Sequence, residues 1–184
     1  MTFSFDFENP ERVTVGALGP VGERVFLLQA RQGAVSATLK LEKAQVSALA
    51  RFLGRMLGEL ARPGELSSGS ELALEPFGEP DFVVRWLGVS YDEDADRVVL
   101  VADELDRTEV EEQELFGPDD VPELGSGPGQ SLRLAMTRGQ AAALSIKGTE
   151  LVEAGRPPCP LCGYPLDPRG HVCPRTNGHR PPLT

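Results

Sequence analysis

Long apolar runs are missing from this chain of 184 residues. A membrane-spanning helix needs about eighteen consecutive apolar residues, and the sequence contains no such run. The first residues, MTFSFDFENPERV, lack a basic region followed by an apolar block, so we expect no secretory signal. These absences predict a cytoplasmic protein that makes no membrane contact.

Cysteine and histidine are scarce, and all of them lie near the C-terminus. The chain contains three cysteines and two histidines, which are Cys159, Cys162, Cys173, His171 and His179. An odd number of closely spaced cysteines is more typical of a metal site in a reducing compartment than of a disulfide framework. The rest of the chain therefore lacks nucleophile and base pairs built on thiol or imidazole, although carboxylate chemistry remains open.

Basic residues are outnumbered, and the formal net charge is -10. Residues 92–124 carry fourteen acidic side chains against two arginines. An acidic surface disfavours duplex nucleic acid, because contact with phosphates requires a basic face. The tail, in contrast, is basic, with Arg156, Arg169, Arg175 and Arg180 against one aspartate.

The composition, with 40% hydrophobic and 25% charged residues, is that of a globular protein. Alternating apolar and polar residues predict strands, whereas apolar residues at helical spacing predict helices over residues 43–60 and 138–154. The predicted strands cover residues 3–8, 13–18, 24–32, 35–41, 81–90, 97–104 and 130–136.

An internal repeat relates the two strand-to-helix junctions. The segment LKLEKAQVSAL at residues 39–49 aligns with LAMTRGQAAAL at residues 134–144, and two further predicted strands precede each copy. Thr137 and Gln140 fit a capping box, and Gly54 and Gly58 predict a close packing contact. We therefore predict an α+β fold of two βββα units related by a pseudo-twofold axis, with a mostly antiparallel sheet.

The domain organisation follows from these elements. Residues 1–154 are expected to form one α+β domain, with halves at about 1–62 and 81–154. The segment rich in Gly, Pro, Ser and Glu at residues 63–80 is predicted to be a linker, and the acidic stretch at 105–129 a long loop. Residues 155–184 are predicted to be a separate zinc-binding tail.

The tail has the spacing of a structural zinc site. Cys159 and Cys162 form a Cys-x-x-Cys pair followed by Gly163, and His171 and Cys173 provide the second half. A Cys₃His set fills all four positions of a tetrahedral zinc, which is typical of a structural site. His179 is the alternative fourth ligand, and a catalytic zinc or metal-free thiols are the alternative interpretations. So short a tail requires a metal, because it has few apolar residues to bury.

Two blocks of sequence resemble a known family. They are ENPERVTVGALGPVGERVFLLQARQG near the start and RPPCPLCGYPLDPRGHVCPRTNG near the end. Through them the chain resembles an uncharacterised actinobacterial family, a domain of unknown function, over nearly its whole length. The resemblance implies a cytoplasmic bacterial protein, and it implies no reaction, substrate or catalytic residue.

Three functions remain open at this point. The first is a protein-interaction or adaptor role, in which the zinc tail docks and the acidic segment attracts a basic partner. The second is binding or conversion of a small molecule or phosphate ligand in a cleft between the halves. Its candidate polar residues are Arg12, Arg24, Gln29 and Gln45. The third is contact with single-stranded nucleic acid through the basic tail and Tyr164.

Overall fold

The protein is described here by a computed structural model that covers residues 3–60, 72–104, 129–155, 159–163, 166 and 173–176. Within these residues, eight strands and two α-helices confirm the predicted α+β class. In chain order the elements are β1 Phe5–Phe7, β2 Arg12–Leu18, β3 Val25–Gln32, β4 Val35–Leu41, α1 Lys43–Glu59, β5 Phe82–Val83, β6 Trp86–Asp92, β7 Arg97–Asp103, β8 Ser131–Met136, α2 Arg138–Glu153, and a short 3₁₀ helix at Pro174–Thr176.

The strands form two sheets of four, both mostly antiparallel. The first has the order β2-β3-β4-β5 and the second β1-β8-β7-β6. In each sheet three consecutive strands pair antiparallel, and one short strand joins the last of them in parallel. That short strand comes from the opposite half of the chain, so β1 and β5 are exchanged between the halves. The exchange therefore joins the two repeats through backbone hydrogen bonds, in addition to the covalent chain.

The chain crosses between the sheets at Val84 and Arg85. The Val84 amide donates to the carbonyl of Lys40 in the first sheet at 2.9 Å, whereas the Arg85 amide donates to the carbonyl of Asp103 in the second at 2.9 Å. The prediction of one continuous strand over residues 81–90 is therefore wrong. An apolar run shows that a segment is buried, but it does not show which sheet each residue joins.

One hydrophobic core contains residues from both sheets and both helices. Alternate residues of β3, β4, β7 and β8 enter it, as a period of two requires. The exchanged strands contribute Phe7 opposite Leu134 and Phe82 opposite Leu39, and all four side chains are buried. The exchange therefore places equivalent phenylalanines at equivalent positions of the two sheets.

The two helices pack against each other in antiparallel directions through small residues. A Cβ atom at Gly148 would lie 3.0 Å from that of Ala50, and the Ser145 hydroxyl donates to the Ala50 carbonyl at 2.7 Å. Gly54 makes the predicted contact, since a Cβ there would lie 3.2 Å from the Ser145 hydroxyl. Gly58 does not make it, because a Cβ atom at this position would have no neighbour within 4 Å among the described residues.

The described part of the predicted linker lies across the outer face of the first sheet. Leu74 occupies the space above Gly16, where a Cβ atom would approach it to 2.5 Å. The Thr14 hydroxyl donates to the Leu72 carbonyl, and a guanidinium nitrogen of Arg12 donates to the Ala73 carbonyl. These contacts cover the face of the sheet that points away from the core.

Two sequence predictions about organisation remain predictions. Nearly all of the acidic stretch at 105–129 lies outside the described residues, and so does most of the tail at 155–184. Within the described part of the chain, neither helix is both long and apolar enough to span a bilayer.

Candidate metal centre

The Cys-x-x-Cys segment forms a tight turn. The Gly163 amide donates to the Cys159 carbonyl at 2.8 Å and closes the turn. Gly163 has a φ of +76°, a left-handed conformation that a residue with a side chain rarely adopts. The turn thus explains why glycine follows the second cysteine, and it directs the side chains of both cysteines to one side.

The structure brings all three cysteines together. The Sγ atoms of Cys159, Cys162 and Cys173 lie within 4.8 Å of one another. Cys159 and Cys173 are buried, Cys162 is half-buried, and the three form no disulfide. The 3₁₀ helix that starts directly after Cys173 fixes the chain at the third sulfur. This geometry can hold a metal ion.

The environment of Cys159 favours the thiolate form. The backbone amide of Cys162 hydrogen-bonds its sulfur and lowers the pKa of the Cys159 thiol, and the amide of Leu161 lowers it further. Burial opposes this effect. Because a metal binds the thiolate rather than the thiol, the amides of the turn prepare this sulfur for coordination.

The three sulfurs also fit the dimensions of a tetrahedral site. With Zn–S bonds of about 2.3 Å, the sulfurs around one zinc ion lie about 3.8 Å apart. The observed limit of 4.8 Å is within a small side-chain adjustment of that value. The predicted fourth ligand His171 and its alternative His179 both lie outside the described residues, so the choice between them remains a prediction.

Two of the four residues proposed for a ligand cleft do lie together. Arg12 and Gln29 line a cavity of about 180 Å³ on the outer face of the first sheet. Their side chains already hold the segment that covers this face. The Gln29 amide exchanges two hydrogen bonds with the backbone of Glu75, at 2.9 and 3.1 Å, and Glu75 pairs with Arg12 and Arg31 at 3.6 and 3.3 Å. This cluster therefore fastens the segment around Glu75 to the sheet.

The other two residues lie elsewhere. Arg24 precedes β3, at the end of the sheet opposite to Arg12, because Arg12 pairs with Arg31 and Leu18 with Val25. Gln45 is in the first turn of α1, where its side chain accepts a hydrogen bond from the Glu42 amide and donates to the Val84 carbonyl. The four residues form no common cleft.

A groove that the sequence analysis missed lies between α1 and β6, one element from each half. Its volume is about 1020 Å³. Leu49 and Phe52 of α1 line it together with Leu87 and Val89 of β6. The signal in the sequence was Phe52, a large aromatic residue outside the apolar stripe of its helix, and its side chain is 39% exposed.

Little of the basic tail proposed for nucleic-acid contact falls among the described residues. Arg175 lies in the 3₁₀ helix beside Cys173 and is exposed. Arg156, Arg169, Arg180 and Tyr164 are outside the described residues, so the nucleic-acid interpretation stays a prediction.

Comparison with known proteins gives one result. The chain matches the family described as protein of unknown function (DUF3090) over residues 5–173, which include both sheets, both helices and all three cysteines. No curated protein matches the chain, and no solved structure matches it. Because the match covers most of the sequence, the chain belongs to the DUF3090 family.

Proposed function

We propose that this chain is a cytoplasmic protein-interaction protein, an adaptor whose C-terminal tail is held by a structural zinc ion. The observation that supports the proposal is the convergence of three cysteine sulfurs within 4.8 Å, two of them buried. Thiols at this spacing that form no disulfide fit a reducing compartment such as the cytoplasm.

The donor set favours zinc among the common metals. Thiolates are soft ligands, and three of them with one imidazole form the Cys₃His set found in structural zinc sites. In this proposal Cys159, Cys162 and Cys173 are joined by His171. All four positions are then filled by protein atoms, so the ion holds the tail in place and offers no open position to a substrate.

An exposed apolar surface, rather than a set of catalytic groups, supports the interaction role. The groove between α1 and β6 exposes an aromatic ring at the boundary of the two halves, a place where a partner can bind. The polar cavity at Arg12 supports a small-molecule role less well. Its volume is about 180 Å³, and both of its arginines already pair with Glu75.

Elemental analysis of gently purified protein tests the zinc site. Wild-type protein is expected to contain about one zinc per chain, and Cys162→Ser to lose most of it because one of four ligands is removed. Cys162→His, which replaces the thiolate by another zinc ligand, is the matched control and should retain metal. Absence of stoichiometric metal in the wild type, or unchanged content in Cys162→Ser, would refute the site.

Affinity capture from the native host tests the interaction role. Full-length protein and a form without residues 155–184 are compared after circular dichroism has shown that the shortened form is folded. We expect at least one partner to bind only the full-length protein. If both forms capture the same set of proteins, the tail has no docking function.

A further inference from the structure

The groove between α1 and β6 has a counterpart in the other half of the molecule. In the repeat, Leu41 of β4 corresponds to Met136 of β8. Across the first sheet, the strand registers connect Leu41 with Ala17 of β2. Across the second sheet, they connect Met136 with Tyr91 of β6, so Ala17 and Tyr91 are equivalent. By the same registers Val13 and Val15 of β2 correspond to Leu87 and Val89 of β6. The pair α2 and β2 is thus equivalent to the pair α1 and β6.

Among the described residues, one of these two equivalent interfaces is closed and the other is open. α2 packs directly on β2, and Val13 and Val15 beneath it are 3% and 2% exposed. In the described part of the chain α1 makes no such extensive contact with β6, and Leu87 and Val89 are only half-buried. Within the described residues, the apolar site between α1 and β6 is therefore uncovered. At the equivalent site in the other half, α2 covers β2.

The open groove runs along the edge of a strand. β6 is the terminal strand of its sheet, and no described strand pairs with its outer edge. Side chains from both faces of β6 line the groove. Leu87 and Val89 point towards the core, whereas Trp86 lies on the opposite face, beside Gly88. A free strand edge beside a helix can take an additional strand from another chain.

The charge of the groove selects the partner. Arg51, Arg55 and Arg85 line it, whereas none of the described residues that line it is acidic. All three arginines are exposed, and none forms an ion pair within the described residues. The guanidinium of Arg55 lies 5.9 Å from the ring centre of Phe52, so positive charge borders the exposed apolar surface. The groove is thus locally positive, although the chain as a whole has a net charge of -10.

We propose that the groove binds an extended acidic segment of a partner protein, which adds as a strand to the outer edge of β6. The segment's apolar side chains contact Phe52, Leu87 and Val89, and its carboxylates pair with Arg51, Arg55 and Arg85. The inference rests on the proposed interaction function and gives the partner's chemistry.

A single-stranded nucleic acid also combines negative charge with surfaces that stack on aromatic rings, but the groove fits it less well. Leu49, Leu87 and Val89 give an aliphatic lining, which suits apolar side chains rather than stacked bases. The strand edge offers backbone hydrogen bonds that a peptide satisfies. The overall negative charge also opposes a polyphosphate chain.

Trp86 lines the groove and is the only tryptophan of the chain, so its fluorescence reports binding directly. The probe is a peptide of about ten residues, the upper range of strand length, in which Glu alternates with Val and Phe. Its counterpart with Lys in place of Glu and an oligothymidylate of similar length are the comparison ligands. We expect micromolar binding of the acidic peptide that weakens with salt, and slower hydrogen exchange of the β6 amides in the complex.

Two variants and one control locate the site. Arg51→Glu/Arg55→Glu should weaken binding at least about tenfold by reversing the charge of the groove. Phe52→Gln should weaken it through the apolar contact. Arg24→Glu/Lys40→Glu makes the same total change in charge outside the groove, and this control should bind like the wild type. None of these side chains is buried, so all variants should fold.

Several outcomes would overturn the inference. They are no binding of the acidic peptide, equal binding of the lysine peptide, tighter binding of the oligothymidylate, or equal loss in the control variant. Loss of tail-dependent capture, with peptide binding intact, would refute the docking role of the tail and leave the groove assignment standing. Tail-dependent capture without peptide binding would refute the groove assignment alone.

Discussion

Gln45 and Gln140 make the same two hydrogen bonds in the two halves of the molecule. Each accepts from the backbone amide of the residue that caps its own helix, at 2.8 and 2.9 Å. Each then donates to a carbonyl that follows the exchanged strand, Gln45 to Val84 at 3.0 Å and Gln140 to Pro10 at 2.7 Å. One side chain thus starts a helix and also holds the strand exchanged between the halves.

Replacing either glutamine should destabilise the fold. Gln45→Ala and Gln140→Ala each remove a cap contact and a bond to the exchanged strand, so we expect a loss of about 1–2 kcal/mol in the free energy of unfolding, measured in urea. Gln→Glu at the same positions keeps the acceptor and removes the donor, so its cost should be smaller than that of alanine. Alanine variants as stable as the wild type would show that these bonds contribute nothing.

We predict that substitutions at two glycines of the helices change the free energy of unfolding in opposite directions. Gly148→Leu should lower the free energy of unfolding by about 1–3 kcal/mol, because the Ala50 Cβ would lie only 3.0 Å from the new side chain's Cβ. Gly58→Ala is the matched control in the other helix. No described residue lies within 4 Å there, so it should stabilise the protein by about 0.5–1 kcal/mol. Thermal unfolding measures both, and a stable Gly148→Leu protein would contradict the close packing.

The local structure of this chain could be predicted from its sequence, because local patterns determine it. The apolar stripe of α1, the capping box of Thr137 and Gln140, and the repeat around Gln45 all gave correct elements. The Cys-x-x-Cys-Gly spacing likewise predicted the convergence with Cys173. Each of these signals depends on residues close together in the sequence or on a rare residue type.

The long-range arrangement could not be predicted in this way. Alternation in β1 and β5 shows one buried face, but the exchange between sheets depends on which edge is available in the folded molecule. The polar residues Arg12 and Gln29 were proposed for a ligand, whereas they hold the backbone at Ala73 and Glu75, and nothing in the local pattern places that segment on them. The groove depends on the distance between α1 and β6, which no local pattern encodes.

We predict that the acidic stretch at residues 105–129 can be removed without loss of the fold. Asp103 and Ser131 are partners in the β7–β8 register, and the Glu104 amide donates to the Gln130 carbonyl at 2.9 Å. These strand ends are close enough for an Asn-Gly turn. Replacing residues 105–129 by that turn should leave the melting temperature within a few degrees of the wild type, since loop length contributes little. A large decrease would show that the removed residues support the core.

A cluster at the start of α2 predicts a specific dependence of stability on pH. Asp96 accepts hydrogen bonds from the Tyr91 hydroxyl at 2.6 Å and from the Arg138 guanidinium at 2.6 Å. The bond from Tyr91, and then that from Arg138, hold the pKa of Asp96 below its ordinary value of 3.8. A carboxylate with a lowered pKa stabilises the folded state above about pH 4, and that contribution disappears as the pH falls through the lowered pKa.

Asp96→Asn tests this dependence, because asparagine tolerates the φ of 51° at this position. Urea unfolding at pH 7 and pH 3 should show the variant less stable than the wild type at pH 7, with the difference shrinking at pH 3. The same bonds raise the pKa of Tyr91 above 10.0, mainly through Asp96, so this tyrosine's contribution should be lost as the pH rises above 10. Tyr91→Phe removes the bond that lowers the pKa of Asp96 most and keeps the ion pair between Asp96 and Arg138, so it should retain only part of the acid-side dependence. An unchanged difference between wild type and Asp96→Asn at the two pH values would contradict the assignment.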